Sequence, residues 1–318
     1  MKLKKKLALA LTLALALMLV TGCTSNLPAA GTPPPAVSVA PVPTPTPAPT
    51  PEVIPFTFTE ANFPILDGST ATIPLGEAIQ SVLLGKPRSE CGVNFSKTSG
   101  AYYALAESQV HLLIVYDGGE EVRQQVNADT IFETAPIGYD ALVFLVNADN
   151  PVSNLTSKQV QGIFSGEITN WNQVGGSDEA IRAYQRGNGS GSQALMDKLV
   201  MDGMEMGQPE TIPIVGEMGG LVDAVADYTG GPTGIGYNVF FYVTEMYTNP
   251  AIKLLSIDGV PPTYDTIADG SYPFISEFYA VIRTEEPEDS PARILYNWLQ
   301  TEPAQALIRS EKYVSYLN

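Results

Sequence analysis

The sequence is poor in the side chains that most catalytic and metal sites require. Its 318 residues include one histidine, His111, and two cysteines, Cys23 and Cys91. A serine hydrolase needs a histidine as general base, but His111 stands inside the apolar run VHLLIVY, which is typical of a buried strand. Two cysteines are too few for a cysteine-based metal site. We therefore predict a protein that is not an enzyme and that holds no metal or cofactor.

Positive charge is also scarce. The chain has 17 Lys and Arg residues against 34 Asp and Glu residues, which gives a formal net charge of −17. Nucleic acids and anionic membrane surfaces attract basic faces, so neither is an expected partner. A small anion is not excluded, because a recessed site responds to its own donors rather than to the net charge of the chain.

The first residues indicate export. Four lysines within MKLKKK precede the apolar run LALALTLALALMLV, whose length and flanks are typical of a signal peptide rather than of a membrane span. The run ends in VTGC, which resembles the lipobox of bacterial lipoproteins. This resemblance predicts a signal peptide over residues 1–22 and lipidation, with palmitate, at Cys23. The protein would then lie on the extracytoplasmic face of the cell membrane, held by its lipid anchor alone. An ordinary cleaved signal peptide with an incidental cysteine is the alternative.

A proline- and threonine-rich segment follows, and residues 23–52 are expected to form a stalk. Proline recurs there and charge is almost absent, a composition that cannot bury a core and favours extended polyproline structure. If Cys23 is lipidated, Cys91 is the only thiol left, so no internal disulfide is expected. The remaining chain, from about residue 53 to residue 318, is long enough for one large or two ordinary domains.

Strand and helix patterns alternate along that remaining chain. The runs IPFTFT, VNFS, VHLLIVY, TIFETAPIG and ALVFLVN predict strands, whereas SQALMDKLVM and GLVDAVADY predict helices. Thr156 and Gln159 form a capping-box pattern that marks a helix start. This alternation predicts the α/β class, with mixed, mostly parallel sheets. Ligands in such folds bind where the carboxyl ends of strands meet helix N-termini.

Three strand-to-helix turns share a composition suited to an anion. They are DGSTATIP at residues 67–74, SKTSGAYY at residues 96–103 and RGNGSGSQ at residues 186–193. Each places glycine and small hydroxyl residues before a helix, where unpaired backbone N–H groups and the helix dipole accept an anion. Arg186 adds a guanidinium that suits an oxyanion. Ordinary N-capping is the alternative for each turn, and a surface ion pair is the alternative for Arg186.

The third turn matches no nucleotide-binding motif. No GKS or GKT follows its glycines, and Ser192 stands where a dinucleotide fingerprint has its third glycine. No pair of carboxylates stands in a recognisable catalytic context either. The turn is therefore expected to bind rather than to catalyse.

The segment Ile137–Met196 resembles the phosphate-binding lipoproteins of bacterial phosphate ABC transporters, within the periplasmic-binding-protein superfamily. The motif NPVSNLT followed by IFSGEITNWNQVGG carries this resemblance, and the order of elements is similar from about Leu66 to the C-terminus. The resemblance implies two α/β lobes with a ligand cleft between them. Residues 53–140 together with 239–318 would form lobe 1, and residues 141–238 would form lobe 2.

The resemblance also implies a set of site residues. Carried over position by position, the phosphate-binding residues are Ser69, Thr70, Ala71, Thr98, Ser99, Asp117, Arg186, Ser190, Gly191 and Ser192. The chain departs from the family pattern at Asn188, where the family commonly has an acid that orients the arginine. It departs again at Tyr116, which aligns by length with a family carboxylate that accepts the proton of phosphate and rejects sulfate. Asp117, one residue later, is predicted to be this acceptor, and a solvated loop acid is the alternative.

These observations together predict a monomeric extracytoplasmic lipoprotein. The resemblance implies that it captures inorganic phosphate and delivers it to the permease subunits of an ABC transporter. Two alternatives stay open at this point. The chain is otherwise a binding protein for another oxyanion, or a sensory or adhesive surface lipoprotein that kept the fold.

Overall fold

The computed structural model describes residues 56–208, 213–227, 229 and 231–317. The predicted signal peptide, the lipidation site Cys23 and the predicted stalk lie outside the described residues. Within these ranges, no helix is long and apolar enough to span a bilayer.

Twelve strands occur in the described part of the chain. They are β1 (Leu66–Gly68), β2 (Leu112–Tyr116), β3 (Phe132–Asn147), β4 (Asn154–Leu155), β5 (Arg182–Ala183), β6 (Gln185–Arg186), β7 (Ile214–Val215), β8 (Gly234–Val239), β9 (Ile252–Leu254), β10 (Ser256–Ile257), β11 (Ile275–Arg283) and β12 (Val314–Ser315).

Ten α-helices accompany these strands in the same ranges. They are α1 (Ile73–Leu84), α2 (Lys97–Ala106), α3 (Gly119–Gln125), α4 (Ala128–Ile131), α5 (Ser157–Ser165), α6 (Gly191–Met196), α7 (Met218–Ala226), α8 (Tyr264–Ala268), α9 (Pro291–Leu299) and α10 (Glu302–Ser310). Short 3₁₀ turns lie at Thr70–Thr72, Arg88–Glu90 and Trp171–Val174, and π-helical turns lie at Asp197–Met201 and Tyr242–Met246.

The central sheet has eight strands and is mixed. Its order is β1-β2-β11-β3-β8-β5, and β9 and β12 also pair with β3. The pairs β1 with β2 and β5 with β8 are parallel, whereas β11 with β2 and the pairs that β3 makes are antiparallel. The predicted α/β class is confirmed. The sheet is less parallel than expected because β8 and β11, from the second half of the chain, run against β3 on both sides.

The long strand β3 joins two parts of this sheet. Its residues 132–141 pair with β11, and its residues 142–146 pair with β8. The sequence ALVFLVN at its end is buried throughout, which explains why it is a continuous apolar run rather than an alternating one. The chain therefore passes from one half of the sheet to the other near Ala141. The lobe boundaries stay a prediction.

An aromatic cluster fills the core beneath β3 and β8. Phe164 on α5 packs edge-on against Tyr237 with ring centroids 5.3 Å apart, and Phe144 on β3 lies 6.0 Å from Phe164. Helix α5 begins as predicted, since the Thr156 hydroxyl accepts the Gln159 N–H and the Gln159 side chain accepts the Thr156 N–H. The rings of Phe144 and Phe164 both pack against Tyr237 and fix the position of its ring.

The structure differs from the strand predictions at three points. TIFETAPIG and ALVFLVN are not two strands but the single strand β3. The VNFS segment is irregular, because the Ser96 N–H and hydroxyl donate to the carboxylate of Asp67 at 2.6 and 2.5 Å. The described part of IPFTFT is also irregular, and its rings Phe56 and Phe58 pack together with centroids 5.0 Å apart. In both segments, side-chain contacts replace the strand ladder.

Gly68, the last residue of β1, provides a test of this packing. A Cβ placed at Gly68 would lie 2.0 Å from the backbone oxygen of Ile114 in β2, so Gly68→Ala must push the two strands apart. We expect Gly68→Ala to lower the free energy of unfolding by about 1–3 kcal/mol, as overpacking does. Urea denaturation followed by circular dichroism measures the change.

Gly92→Ala is the matched control, because nothing lies within 4 Å of a Cβ at Gly92, which is exposed. We expect this variant to unfold at nearly the same urea concentration as the parent. Equal stabilities for the two alanine variants would contradict the close approach of β1 and β2.

Candidate functional site

A cavity of about 220 Å³ opens where the three predicted turns meet. Eight of the ten predicted site residues line it, namely Ser69, Thr70, Ala71, Thr98, Arg186, Ser190, Gly191 and Ser192. They come from the 3₁₀ turn before α1 and the residue that caps it, from the first turn of α2, and from the stretch that runs from the end of β6 into the first turn of α6. The turns lie far apart in sequence, and the sheet brings them together at one edge of the cavity.

The carboxylate of Asp67 ties the first turn to the second. It accepts the N–H of Gly68 in the first turn and both donors of Ser96, the residue before α2. The hydroxyls of Ser69 and Thr98 hydrogen-bond to each other at 2.8 Å, and the Tyr116 N–H donates to Ser69 Oγ at 3.1 Å. These contacts fix two of the turns against the end of β2.

Arg186 provides the positive charge of the cavity. Its backbone N–H donates to the Tyr237 hydroxyl at 2.9 Å, and the Tyr237 hydroxyl in turn donates to the Gln193 side chain. Its guanidinium donates from Nη1 to the backbone oxygen of Val215 at 3.3 Å. The residue is 3% exposed, and its Nε has no hydrogen-bond partner in the described structure. An unused charged donor is therefore buried at the cavity wall.

The hydroxyl residues of the third turn have different roles. Ser190 is the N-cap of α6, and its hydroxyl oxygen accepts the Gln193 N–H at 3.1 Å, so the ordinary capping alternative holds for that oxygen. The O–H of Ser190 remains a donor toward the cavity. Ser192 is 4% exposed, and its hydroxyl has no partner among the described residues. Buried polar groups are rarely left in this state, so each of these atoms points to a ligand.

The electrostatic environment of Arg186 also favours an anion in the cavity. Burial lowers the pKa of the guanidinium, and the charges of Tyr237 and Glu217 oppose that shift. Across the described ranges, no carboxylate lies within 4.0 Å of the Arg186 guanidinium. A buried cation without a paired carboxylate is costly, and an anion placed in the cavity would offset that cost.

Two predicted site residues lie outside this cavity. Ser99 donates its hydroxyl to the backbone oxygen of Gly189 at 2.9 Å. Asp117 lies in a different pocket, where its carboxylate pairs with Lys198 at 2.8 Å and accepts the N–H of Gly119. Burial raises the pKa of the Asp117 carboxyl, but the bonds from Lys198 and Gly119 hold that pKa below its usual value.

Tyr116 lines the cavity in place of Asp117. Strand β2 ends at Tyr116, and its pairing with β11 places Tyr116 opposite Phe278. A shift of one residue along a strand reverses the face of the side chain. Tyr116, one position before Asp117, therefore contributes to the cavity wall, and the role of Asp117 as proton acceptor stays a prediction.

The start of α7 is the part of the cavity wall that the sequence reasoning missed. Met218, Gly219 and Gly220 line the cavity and present a fourth helix N-terminus to it. The turn GEMGGLV contains no serine or threonine, which is why a search for hydroxyl-rich turns passed over it. Its glycine pair after a strand was the available signal.

An ion pair crosses the mouth of the cavity. Lys97 on α2 contacts Glu217, the residue before α7, with Nζ and Oε1 2.9 Å apart. Both side chains are mostly solvent-exposed, so the pair itself adds little stability. The pair connects the first turn of α2 with the residue that precedes α7.

A buried carboxylate, Asp140, stands behind the cavity at the β3 crossing. The Tyr116 hydroxyl donates to its Oδ2 at 2.5 Å, and the backbone N–H groups of Ala141 and Phe241 donate to its Oδ1. Burial raises the pKa of Asp140 to about 6, and these hydrogen bonds limit the rise. Asp140 thus links Tyr116 in the cavity wall to β3 and to the segment that follows β8.

The arrangement as a whole suits a tetrahedral oxyanion. Helix N-termini, hydroxyl groups and one guanidinium converge on the cavity, and all of them donate to or attract an anion. Among the described residues, no group of three or more His, Cys, Asp or Glu side chains could hold a metal ion. His111 does not face the cavity, since its Nδ1 accepts the Ile65 N–H at 2.9 Å beside β1.

A protein-family model described as a PBP superfamily domain matches residues 85–300 of the chain. Among curated proteins, the phosphate-binding protein PstS of Bacillus subtilis is 29% identical over 170 residues, which cover 53% of this chain and 53% of that protein. The phosphate-binding protein PstS of Borreliella burgdorferi is 26% identical over 199 residues, covering 61% and 68%. The chain therefore spans about half the length of the Bacillus protein and two thirds of the Borreliella one.

Solved structures show the same fold. A substrate-binding protein from Clostridium perfringens with bound phosphate superposes with a TM-score of 0.61 at 22% identity, covering 79% of this chain and 98% of that chain. An ABC-type phosphate transport receptor from Vibrio cholerae gives a TM-score of 0.60 at 23% identity, covering 78% and 98%.

The buried Asp140 generates a prediction about pH. A carboxyl whose pKa is about 6 when folded and about 3.8 when unfolded binds its proton more tightly in the folded state. It therefore lowers stability progressively as the pH rises from about 4 to 6. Asp140→Asn removes this cost, so we expect the stability of the variant relative to the parent to improve by about 2 kcal/mol between pH 4.5 and 7.5.

Urea denaturation at both pH values measures this change, and only the difference between the two pH values is compared. Asp149→Asn is the control, because Asp149 is exposed just beyond the end of β3. We expect its stability to follow that of the parent at both pH values. An Asp140→Asn curve that runs parallel to the parent would show that the Asp140 pKa is ordinary.

Proposed function

The chain belongs to the PBP superfamily, and we propose that it is an extracytoplasmic substrate-binding protein that captures inorganic phosphate for an ABC transporter. The named relatives and the donor chemistry of the cavity support this proposal together. It assigns the chain a binding and delivery role rather than a catalytic one.

One observation carries the proposal. Arg186 Nε and Ser192 Oγ are both buried at the cavity wall, and in the described structure neither has a hydrogen-bond partner. A folded protein rarely leaves a charged donor in this state unless a ligand completes it. A phosphate oxygen placed between these atoms would accept from both.

We propose that the remaining donors surround the other phosphate oxygens. Ser69, Thr70 and Thr98 supply hydroxyls from the first two turns, and the backbone N–H groups at the starts of the helices add further donors. Exclusion of water from the cleft strengthens each of these interactions, because the local dielectric constant falls. Affinity thus comes from many modest donors and one cation.

We propose that the cavity lies between two lobes with the boundaries given by the family resemblance. Two observations support this. The partners of β3 change at Ala141, and the cavity takes the Ser69 and Thr98 turns from one side of that crossing and the Arg186 turn from the other. Closure of the lobes would then bring the donors onto the anion and trap it.

The cellular arrangement is also part of the proposal. A signal peptide over residues 1–22, a lipid anchor at Cys23 and a semi-rigid, proline-rich stalk would hold a monomeric receptor at the outer face of the membrane, near the permease subunits. The amino-acid composition of the first 52 residues supports this arrangement.

Substitution of Arg186 tests the phosphate site. We expect Arg186→Ala to weaken phosphate binding on the order of 100-fold or more, since removing one partner of a buried charged contact costs about 2–5 kcal/mol. Isothermal titration calorimetry with inorganic phosphate measures the loss. Arg182→Ala is the matched control, because Arg182 is an exposed cation in the preceding strand, β5, outside the cavity. Wild-type affinity in Arg186→Ala would refute the site.

Substitution of Asp117 tests whether its carboxylate takes part in phosphate recognition. Because the Asp117 carboxylate pairs with Lys198 in another pocket, we expect Asp117→Asn to keep phosphate affinity within about twofold of the parent. Competition with sulfate, measured by calorimetry in the presence of excess sulfate, should also be unchanged. If Asp117→Asn instead begins to bind sulfate, Asp117 is the proton acceptor, as the family resemblance implied.

A further inference from the structure

The cavity has a second wall that the anion site leaves unused. Its volume of about 220 Å³ is well beyond the roughly 15 Å³ that the same measure requires for one water molecule. Apart from the oxyanion donors, the lining includes Asp223, Val239, Tyr242 and Tyr247, and these four residues are called the second wall. A single tetrahedral oxyanion bound at Arg186 would leave this side of the cavity open.

Two tyrosine rings dominate the second wall. The rings of Tyr242 and Tyr247 are nearly parallel, with an interplanar angle of 9° and centroids 6.0 Å apart. Tyr247 is 37% exposed, an unusual position for a large aromatic side chain. Gly219 lets the rings approach the start of α7, since a Cβ there would lie 3.3 Å from Tyr247 and 3.4 Å from the Tyr242 hydroxyl. Aromatic faces attract cations as well as apolar groups.

A carboxylate completes the wall. Asp223, on α7, accepts the Tyr247 hydroxyl at 2.9 Å through Oδ2. It is exposed on the cavity side, and it forms no ion pair with any Lys or Arg of the described ranges, whereas the other cavity acid, Glu217, is paired with Lys97. Asp223 is thus a negative charge, held beside two aromatic rings, that has no ion-pair partner among the described residues.

The two walls lie within electrostatic reach of each other. Burial raises the pKa of the Tyr242 phenol, the positive charge of Arg186 lowers it, and the negative charges of Asp223 and Glu217 raise it. The charge of Arg186 and the charges of Asp223 and Glu217 therefore both act on Tyr242, which lines the same cavity. A ligand with opposite charges at its two ends would complement this arrangement.

We propose that the cavity also takes small organophosphorus zwitterions, in which a phosphonate or phosphate monoester group binds at Arg186 and an ammonium group binds between Asp223 and the Tyr242 and Tyr247 rings. This inference rests on the proposed function, because the same donors hold the phosphorus group. It adds a second subsite, specific for a short alkylammonium chain.

Calorimetry with three anions on the purified protein tests the proposal. The probes are inorganic phosphate, ethylphosphonate and 2-aminoethylphosphonate, and the last two differ only in the terminal ammonium group. We expect 2-aminoethylphosphonate to bind at least tenfold more tightly than ethylphosphonate at pH 7.5. In Asp223→Asn, which keeps an acceptor for the Tyr247 hydroxyl, this ratio should fall below about threefold.

Two further variants complete the design. Tyr247→Leu should also reduce the ratio several-fold, because it removes one aromatic face. Asp227→Asn is the matched control, since Asp227 is an exposed acid at the end of the same helix and does not line the cavity. We expect Asp227→Asn to keep both the ratio and the phosphate affinity of the parent.

The outcomes separate this inference from the proposed function. Phosphate binding with equal binding of the two phosphonates, or with no binding of either, would overturn the ammonium subsite and leave the phosphate site intact. A preference for the amine that survives in Asp223→Asn would overturn it as well. No heat with any of the three anions would overturn the proposed function itself.

Discussion

The burial of a guanidinium without a paired carboxylate is the constraint around which this cavity is arranged. Arg186 loses most of its hydration, and in the described structure it keeps only weak compensation from the backbone oxygen of Val215. The aromatic core holds it in place, because its backbone is bonded to Tyr237, whose ring packs against Phe144 and Phe164. The core thus fixes a destabilised cation at one end of the cavity. Burial of Arg186 lowers the stability of the fold, and an anion bound at Arg186 would recover part of that stability.

The point where β3 changes its strand partners is connected to the cavity wall. Asp140 sits where β3 changes partners, and one of its oxygens accepts N–H groups from Ala141 in β3 and from Phe241, which follows β8. Its other oxygen accepts from Tyr116, which lines the cavity. A single side chain therefore connects this point of the sheet to the cavity wall.

Local sequence signals were sufficient for the fold class, for the capping box at Thr156 and for the three hydroxyl-rich turns, because these depend on residues within one turn of each other. These local signals were not sufficient for features that depend on contacts between residues far apart in the sequence. Ser96 leaves its predicted strand because it bonds to Asp67, 29 residues away. The choice between Tyr116 and Asp117 depends on where β2 ends, which its pairing with β11 determines from the far end of the chain. The α7 turn escaped notice because its anion-facing groups are backbone N–H groups, which every residue type except proline supplies.

The contacts of Asp67 have a thermodynamic consequence for recognition. One carboxylate holds the turn after β1 and the turn before α2 together, so both turns are ordered before any ligand arrives. The loss of conformational entropy that accompanies their ordering then belongs to folding rather than to binding. An anion that reaches this side of the cavity meets a preorganised surface and immobilises little further backbone.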